Sequence, residues 1–156
     1  MAQRRMISQQ ICDSDAFLEM PLSSQALYFH LLIRADDEGF IGNPKKIMKM
    51  VGVQEDDMKV LLTKRFILPF NSGVVVIKHW LMHNVIRMDR FNPTSYEKEK
   101  ETLYLKDNKS YTDRQPNGNQ MATSGMRKLS EVKLSKDNIS KVKDTYGQLK
   151  KGLGKF

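Results

Sequence analysis

Two of the three histidines of the chain flank its only tryptophan in the stretch HWLMHNVIRMDRFNPT, which begins at His79. His79 and His83 stand four positions apart, the spacing of two zinc ligands on one face of a helix. A zinc site needs three or four ligands, and only Asp89 and the amide of Asn84 lie nearby in the sequence. We therefore expect no metal and no cofactor here. The stretch predicts a structural role, in which Trp80 anchors the segment and the histidines and Asn84 form hydrogen bonds.

Patterns typical of enzymes are missing from the sequence. No Ser/His/Asp or Cys/His arrangement and no glycine-rich phosphate loop is found. The acidic runs ADDEG and QEDD offer neighbouring carboxylates of the kind used in metal-assisted phosphoryl chemistry. Each run lies at a predicted helix end, where capping and the helix dipole explain it more simply. The sequence therefore predicts a protein that is not an enzyme.

Charge and composition point to a polyanionic partner inside the cell. The formal net charge is +8, and residues 97–156 carry 14 Lys and Arg against 8 Asp and Glu. Such a balance suits nucleic acid, although a lysine-rich tail also simply favours solubility. One cysteine, Cys12, fits a reducing compartment, and no apolar run is long enough for a signal peptide or a membrane span. We expect a cytoplasmic protein without membrane contact.

The elements that would position these residues follow a recognisable order. Helical periodicity begins at Ser23, the expected N-cap, and ends at the glycine of ADDEG. A short strand, GFIG, precedes a helix over residues 43–52, with Pro44 in its first turn and Met50 facing inward. QEDD opens another helix, and FILPF and VVVIKHW then form a hairpin around Asn71, with an edge strand first.

This order predicts an α+β, mostly helical domain built as a winged helix-turn-helix with a small β-hairpin wing. Two short helices separated by a tight turn and followed directly by a hairpin are typical of that fold. The domain is expected over residues 1–105, with TSYEKEKETLYL as its last helix. Residues 106–135 are rich in Lys, Ser, Asn and Gln and predict a flexible linker. Residues 136–156 predict a basic amphipathic helical tail.

The runs DSDAFLEMPLSSQALYFHLLIRADDEGFIGNPKKIMKMVG, KRFILPFNSGVVVIKHWLMHN and DRFNPTSYEKEK also carry a family resemblance. They resemble the N-terminal domain of phage replisome organiser proteins, which are related to the helicase-loading initiators of Gram-positive bacteria. The resemblance covers residues 1 to about 105. It implies a winged-helix domain that binds duplex DNA at a phage replication origin in the host cell. Organisers typically continue into a second helical domain, for which the remaining residues are too few, so direct helicase loading is not implied.

The DNA-binding residues are expected on one helix, its neighbour, the hairpin and the segment after it. The acidic start of the second short helix would repel phosphates, so the preceding helix is expected to supply most contacts. The alternative is that these lysines form only a solvated face. The candidates are Lys45, Lys46, Lys49, Lys59, Thr63, Lys64, Asn71, Ser72, Lys78, Arg87 and Arg90.

The tail carries a heptad-like seam of apolar residues. Their spacing is 3, 4, 3, 4, 3, but the seam is short and contains two glycines, so an isolated helix would be marginal. It predicts either a contact with a second copy of the chain or with a host partner, or a charged tail that only adds to DNA binding. The seam residues are Ile139, Val142, Tyr146, Leu149, Leu153 and Phe156.

Two functions remain open from the sequence. The first is a phage replication protein that binds duplex origin DNA. The second is a phage-encoded winged-helix regulator or inhibitor that acts on a host protein, or a transcriptional regulator. Steep salt dependence of duplex binding would favour the first, because each lysine–phosphate contact releases counterions.

Overall fold

Five helices and three strands form the first part of the fold. The structure, a computed structural model, describes residues 4–114 and 126–132. Short helices precede one long helix, and two further helices follow a brief strand. The bounds are α1 Gln9–Cys12, α2 Asp15–Leu18, α3 Leu22–Arg34, β1 Phe40–Ile41, α4 Pro44–Val51, α5 Glu55–Thr63, β2 Ile67–Pro69 and β3 Val75–Ile77.

Short elements complete the described part of the chain. A one-turn helix follows the hairpin at once, and a second small sheet follows another one-turn helix. The bounds are α6 Trp80–His83, α7 Glu97–Lys100, β4 Tyr104–Lys106, β5 Tyr111–Thr112 and β6 Met126–Lys128, with 3-10 turns at Met88–Arg90 and Leu129–Glu131. The fold is mixed α+β with small antiparallel sheets, as the sequence predicts at this level.

The first sheet has the antiparallel order β1-β3-β2. Val76 at the centre pairs with Phe40 on one side and Leu68 on the other. The predicted hairpin is therefore confirmed, with Gly73 at positive φ in its turn and Pro69 on the edge strand β2. An edge position tolerates proline because the missing N–H faces away from the ladder.

The core lies between the sheet and α3, which packs on α4 and α5. Phe17, Tyr28 and Phe66 meet in T-shaped contacts with ring centroids 5.5–5.6 Å apart. Trp80 and Leu61 are fully buried beside them. Edge-to-face aromatic contacts add to the hydrophobic gain of burying these rings, so this cluster fixes how α3 sits on the hairpin.

Helix boundaries differ from the sequence prediction in two places. Helix α3 begins at Leu22 with Pro21 at its N-cap, because the hydroxyl of Ser23 donates to Asp57 instead of capping. In α4, Met48 is buried at 8% exposure, whereas Met50 is 60% exposed and faces outward, contrary to prediction. The shift by two positions still leaves the lysines of α4 on the solvent side.

The second sheet corrects the predicted last helix and the predicted linker. The run TSYEKEKETLYL is helical only over α7, and its end forms β4, which pairs with β5 and β6 in the order β5-β4-β6. Tyr111 and Leu129, both in the range expected to be flexible, are fully buried. Apolar burial and strand pairing at Leu105 outweigh the helical tendency of the charged residues before it. The domain therefore extends past residue 105.

The predicted tail helix over residues 136–156, with its apolar seam, lies outside the described residues. Within residues 4–114 and 126–132, no helix has the length and apolar character needed to cross a membrane.

Candidate nucleic-acid interface

Helix α4 presents three exposed lysines, Lys45, Lys46 and Lys49. None of them forms an ion pair with a residue that the structure describes. Asn43 occupies the N-cap position, but its side chain makes no capping hydrogen bond. The N-terminus of α4 therefore combines unpaired cations with backbone N–H groups that no side chain caps. This arrangement favours anions, because the helix dipole adds to the lysine charges.

The first turn of α5 is acidic and partly structural. Asp57 is buried and accepts hydrogen bonds from Ser23 Oγ at 2.5 Å, from Ser24 Oγ at 3.1 Å and from the backbone N–H of Gln54 at 3.0 Å. The hydrogen bond from Ser23 is the main cause that lowers the pKa of Asp57. One carboxylate of the QEDD run thus ties α5 to α3, and this supports the structural interpretation of that run.

The other predicted cations and polar groups are less available than those of α4. Acidic partners lie 2.6–3.2 Å from four of them, in the pairs Lys59–Asp56, Lys64–Glu19, Ser72–Glu99 and Arg87–Asp89. Thr63, Asn71 and Arg90 are exposed, and Lys78 is half-buried. The structure brings Lys45 of α4, Lys59 and the hairpin turn to one surface, and it places Arg87 and Arg90 on the separate segment after α6.

A groove of about 290 Å³ joins α4, α5 and the tip of the hairpin. Met48, Met58 and Val75 form its apolar wall, and Lys45 and Glu55 lie at its edge. The groove confirms that the start of α4, the start of α5 and the hairpin turn are neighbours. A ligand that contacts the α4 lysines would therefore also meet the hairpin turn.

The stretch around Trp80 binds the N-terminal arm, residues 5–8, to the rest of the domain. Trp80 donates from Nε1 to the carbonyl of Asp37 at 2.9 Å, and the guanidinium of Arg5 lies 5.2 Å from the centre of its ring. The side chain of Asn84 accepts from the backbone N–H of Met6 at 2.8 Å. The expected structural role is confirmed for Trp80, His83 and Asn84, but the buried Nδ1 of His79 lacks the expected hydrogen bond within the described part of the chain. The arm is the partner that the sequence did not reveal.

His83 also contacts the N-terminal arm, and both of its ring nitrogens form hydrogen bonds. Its Nδ1 accepts from the backbone N–H of Ser8 at 2.9 Å, so the proton of the neutral ring sits on Nε2, 2.6 Å from Tyr28 Oη. Both nitrogens are therefore occupied by protein groups. His79 packs edge-on against Phe66 at 5.7 Å, and its Nδ1 has no hydrogen-bond partner within the described part of the chain. Within the described residues, no group of three or more His, Cys, Asp or Glu side chains could hold a metal ion.

The ADDEG run forms a buried network rather than a simple helix cap. Glu38 is fully buried and accepts from Lys100 Nζ at 2.5 Å and from the backbone N–H of Thr94 at 2.8 Å. Asp37 pairs with Arg5 at 3.0 Å, with both side chains buried. Burial raises the pKa of Asp36, whose carboxylate accepts from Thr94 Oγ1. These carboxylates bind the arm and residues 92–100 to the core, which leaves them no open ligand position.

We expect the domain to lose stability as the pH falls from about 6.5 towards 4. Burial lowers the pKa of both His79 and His83 to about 4, so the unfolded chain binds protons in this range that the folded chain does not. Stability is then complete above the unfolded pKa of about 6.5, and His83 alone would account for a loss of about 3 kcal/mol near pH 4. Urea unfolding of the wild type at pH 7 and pH 4.5 measures this loss.

Two variants give that measurement its controls. His83→Gln should show a smaller difference between the two pH values, whereas His30→Gln should keep the wild-type difference. The comparison uses the difference in stability between pH 7 and pH 4.5 for each protein, rather than the stabilities themselves. Contributions that are the same in every variant, such as those of the carboxylates, then cancel. Equal differences in all three proteins would contradict the role assigned to His83.

Three further cations gather around Lys78 and were missed by the sequence analysis. Arg65, Lys106 and Arg114 each help lower the pKa of Lys78, after the larger effect of burial. Lys106 and Arg114 fell in the predicted linker, so they were not considered. The signal that could have found them is the β-prone pair Tyr111 and Thr112 after the turn sequence DNKS, which together with YLK predicts a hairpin.

Comparison of the chain with protein-family models, with curated proteins and with solved structures finds no significant match.

Proposed function

We propose that this chain is a phage replication protein, similar to the replisome organisers, which binds duplex DNA in the host cytoplasm through a winged-helix domain and catalyses no reaction. The order α3-β1-α4-α5-β2-β3, with the sheet order β1-β3-β2, supports the winged-helix assignment. In such domains a helix pair faces the duplex and the hairpin reaches along the backbone. The groove at the hairpin tip is where these parts meet.

The observation that carries the proposal is the cationic start of α4. Lys45 and Lys46 lie in the first helical turn, where the dipole disfavours cations and acidic residues are the stabilising choice. Selection for stability alone would not put two lysines there. A phosphate bound at this end would be stabilised by Lys45, Lys46 and Lys49 together with the uncapped N–H groups.

Phosphate contact rather than base reading is the expected mode at α4. Glu55 and Asp56 are exposed at the start of α5, so this end of α5 would be repelled by the duplex backbone. Base contacts would then fall to the exposed Thr63 and Asn71, one on α5 and one in the hairpin turn. Lys59 contributes less, because Asp56 lies 3.0 Å from its ammonium.

A protein-directed role is the second candidate, and the groove is what favours it. Its methionines and Val75 form an apolar surface beside Glu55, which suits a peptide more than a phosphate. In this case the chain would be a regulator or inhibitor of a host protein. Assembly of two copies through the apolar seam of the tail stays a prediction, since the seam lies outside the described residues.

Duplex binding by the full chain should weaken steeply with salt. The three α4 lysines alone would contribute about −2.7 to the slope of the logarithm of the association constant against the logarithm of salt concentration. Fluorescence anisotropy with labelled 20-base-pair duplexes, one of origin sequence and one random, measures the slope and the sequence preference together. Absence of saturable binding to either duplex at low salt would contradict the proposal and favour the protein-directed role.

A further inference from the structure

Backbone hydrogen bonds at the base of the hairpin bring together the chain segments that carry four cations. Lys78 follows β3, donates its N–H to the carbonyl of Phe66 at 3.1 Å and accepts from the N–H of Tyr111 at 2.9 Å. Arg65 precedes Phe66, so its backbone lies on one side of Lys78. Strand β5, which begins at Tyr111, lies on the other side. Lys106 and Arg114 come with the second sheet, one from β4 and one from the residues after β5. We call Arg65, Lys78, Lys106 and Arg114 the hairpin-base cluster.

The charges of the hairpin-base cluster are poorly compensated. Asp113 pairs with Arg65 at 2.6 Å, but Lys78, Lys106 and Arg114 have no ion pair among the residues that the structure describes. Asp107 is next to Lys106 in the chain, but its side chain is exposed and forms no ion pair with a residue that the structure describes. The neighbouring cations and burial lower the pKa of Lys78, as expected where like charges gather without an anion.

The backbone at Arg65 gives a second, independent indication of function. Arg65 follows α5 with φ of 57°, a left-handed conformation in which glycine or asparagine is the usual choice after a helix. The guanidinium of Arg65 is held by Asp113. Unfavourable conformations of this kind persist where the surrounding structure holds them in place, and they are frequent at functional sites.

We propose that the hairpin-base cluster is a second phosphate-binding surface, which holds the backbone of a nucleic acid at the end of α5 opposite the α4 lysines. The inference rests on the proposed function and adds to it a set of residues from the second sheet. Helix α5 has nine residues and spans about 14 Å. The major groove of B-DNA is about 12 Å wide. Lys45 of α4, which lies beside Glu55 at the start of α5, and the hairpin-base cluster after its end therefore match the two phosphate walls of one groove.

The test removes the two cations that come with the second sheet and keeps those that follow α5 and β3. Lys106→Gln with Arg114→Gln, in the full chain, leaves Lys78 and the Arg65–Asp113 pair in place. Anisotropy with a random 20-base-pair duplex should show binding about tenfold weaker at low salt and a slope smaller by about 1.8, the value for two lost phosphate contacts. Arg34→Gln with Lys98→Gln is the matched control, since it removes the same charge from the surface beside α7.

Each outcome of this test decides the inference. An unchanged slope in the cluster variant, or an equal loss in the control, would overturn it. If the wild type binds no duplex, the proposed function fails. Binding of a labelled twelve-residue oligothymidylate then tests, independently of that function, whether the hairpin-base cluster binds phosphates. Saturable binding that Lys106→Gln with Arg114→Gln abolishes would support the hairpin-base cluster as a site for single strands. No binding of the oligothymidylate by the wild type would overturn it as well.

Discussion

Replacing Trp80 by alanine should lower the free energy of unfolding by about 3–5 kcal/mol, the range for a fully buried large aromatic. The side chain fills the space between Gly39 and the N-terminal arm, and its Nε1 holds the carbonyl of Asp37. Gly39 has φ of 92°, and a Cβ there would lie 2.7 Å from Trp80 Cγ, so the backbone packs directly on the ring. Truncation would leave a cavity and an unsatisfied carbonyl together.

Urea unfolding followed by far-ultraviolet circular dichroism measures this loss, because the variant lacks the only tryptophan fluorophore. Trp80→Phe is the matched control. It keeps most of the apolar volume and removes the Nε1 donor, so it should cost less than the alanine variant. A loss below about 1 kcal/mol for Trp80→Ala would show that the stretch does not anchor the arm.

Reversing two charges on α4, Lys45→Glu with Lys49→Glu, should weaken duplex binding by more than about tenfold at moderate salt, because two attractive phosphate contacts become repulsive. The fold should survive. Both side chains are exposed. The helix dipole favours glutamate at position 45 in the first turn of α4 and disfavours it at position 49 in the last turn, so these two effects on stability oppose each other. Anisotropy titration with a random duplex gives the affinity, and circular dichroism confirms the folded state.

Arg34→Glu with Lys98→Glu applies the same change of net charge away from α4 and should reduce affinity far less. Unchanged affinity in the folded α4 variant would remove α4 from the interface. Equal losses in both variants would mean that only the total charge matters, as for a solvated lysine face.

Local signals were sufficient for the hairpin and for the ends of α4. The turn at Asn71 joins two β-prone runs, and Pro44 and Gly52 punctuate α4, so a few neighbouring residues decide each feature. The exposed lysines of α4 were predictable for the same reason, since helical periodicity alone sets the side on which they lie.

Features that depend on contacts distant in the chain were not predictable. The YLK segment becomes β4 because Leu103 is buried and strands from residues 111–112 and 126–128 pair with it. The carboxylates of ADDEG are oriented by Arg5 and by residues 92–100. No local pattern encodes the pairings that involve Arg5, residues 92–100 or β6. The β4–β5 hairpin does have a local signal in the turn sequence DNKS, but the polar composition of this range led to the prediction of a linker, so the hairpin-base cluster was missed as well.

The most direct test of duplex binding through α4 is amide chemical-shift mapping of the full chain during titration with a 15-base-pair duplex. We expect the largest saturable shifts in residues 45–49 and 71–73, with reversal on addition of salt, because phosphate contacts are screened. Absence of saturable shifts, or shifts confined to the pocket formed by Arg34, Asn92 and Tyr96 on the α7 side, would contradict the account.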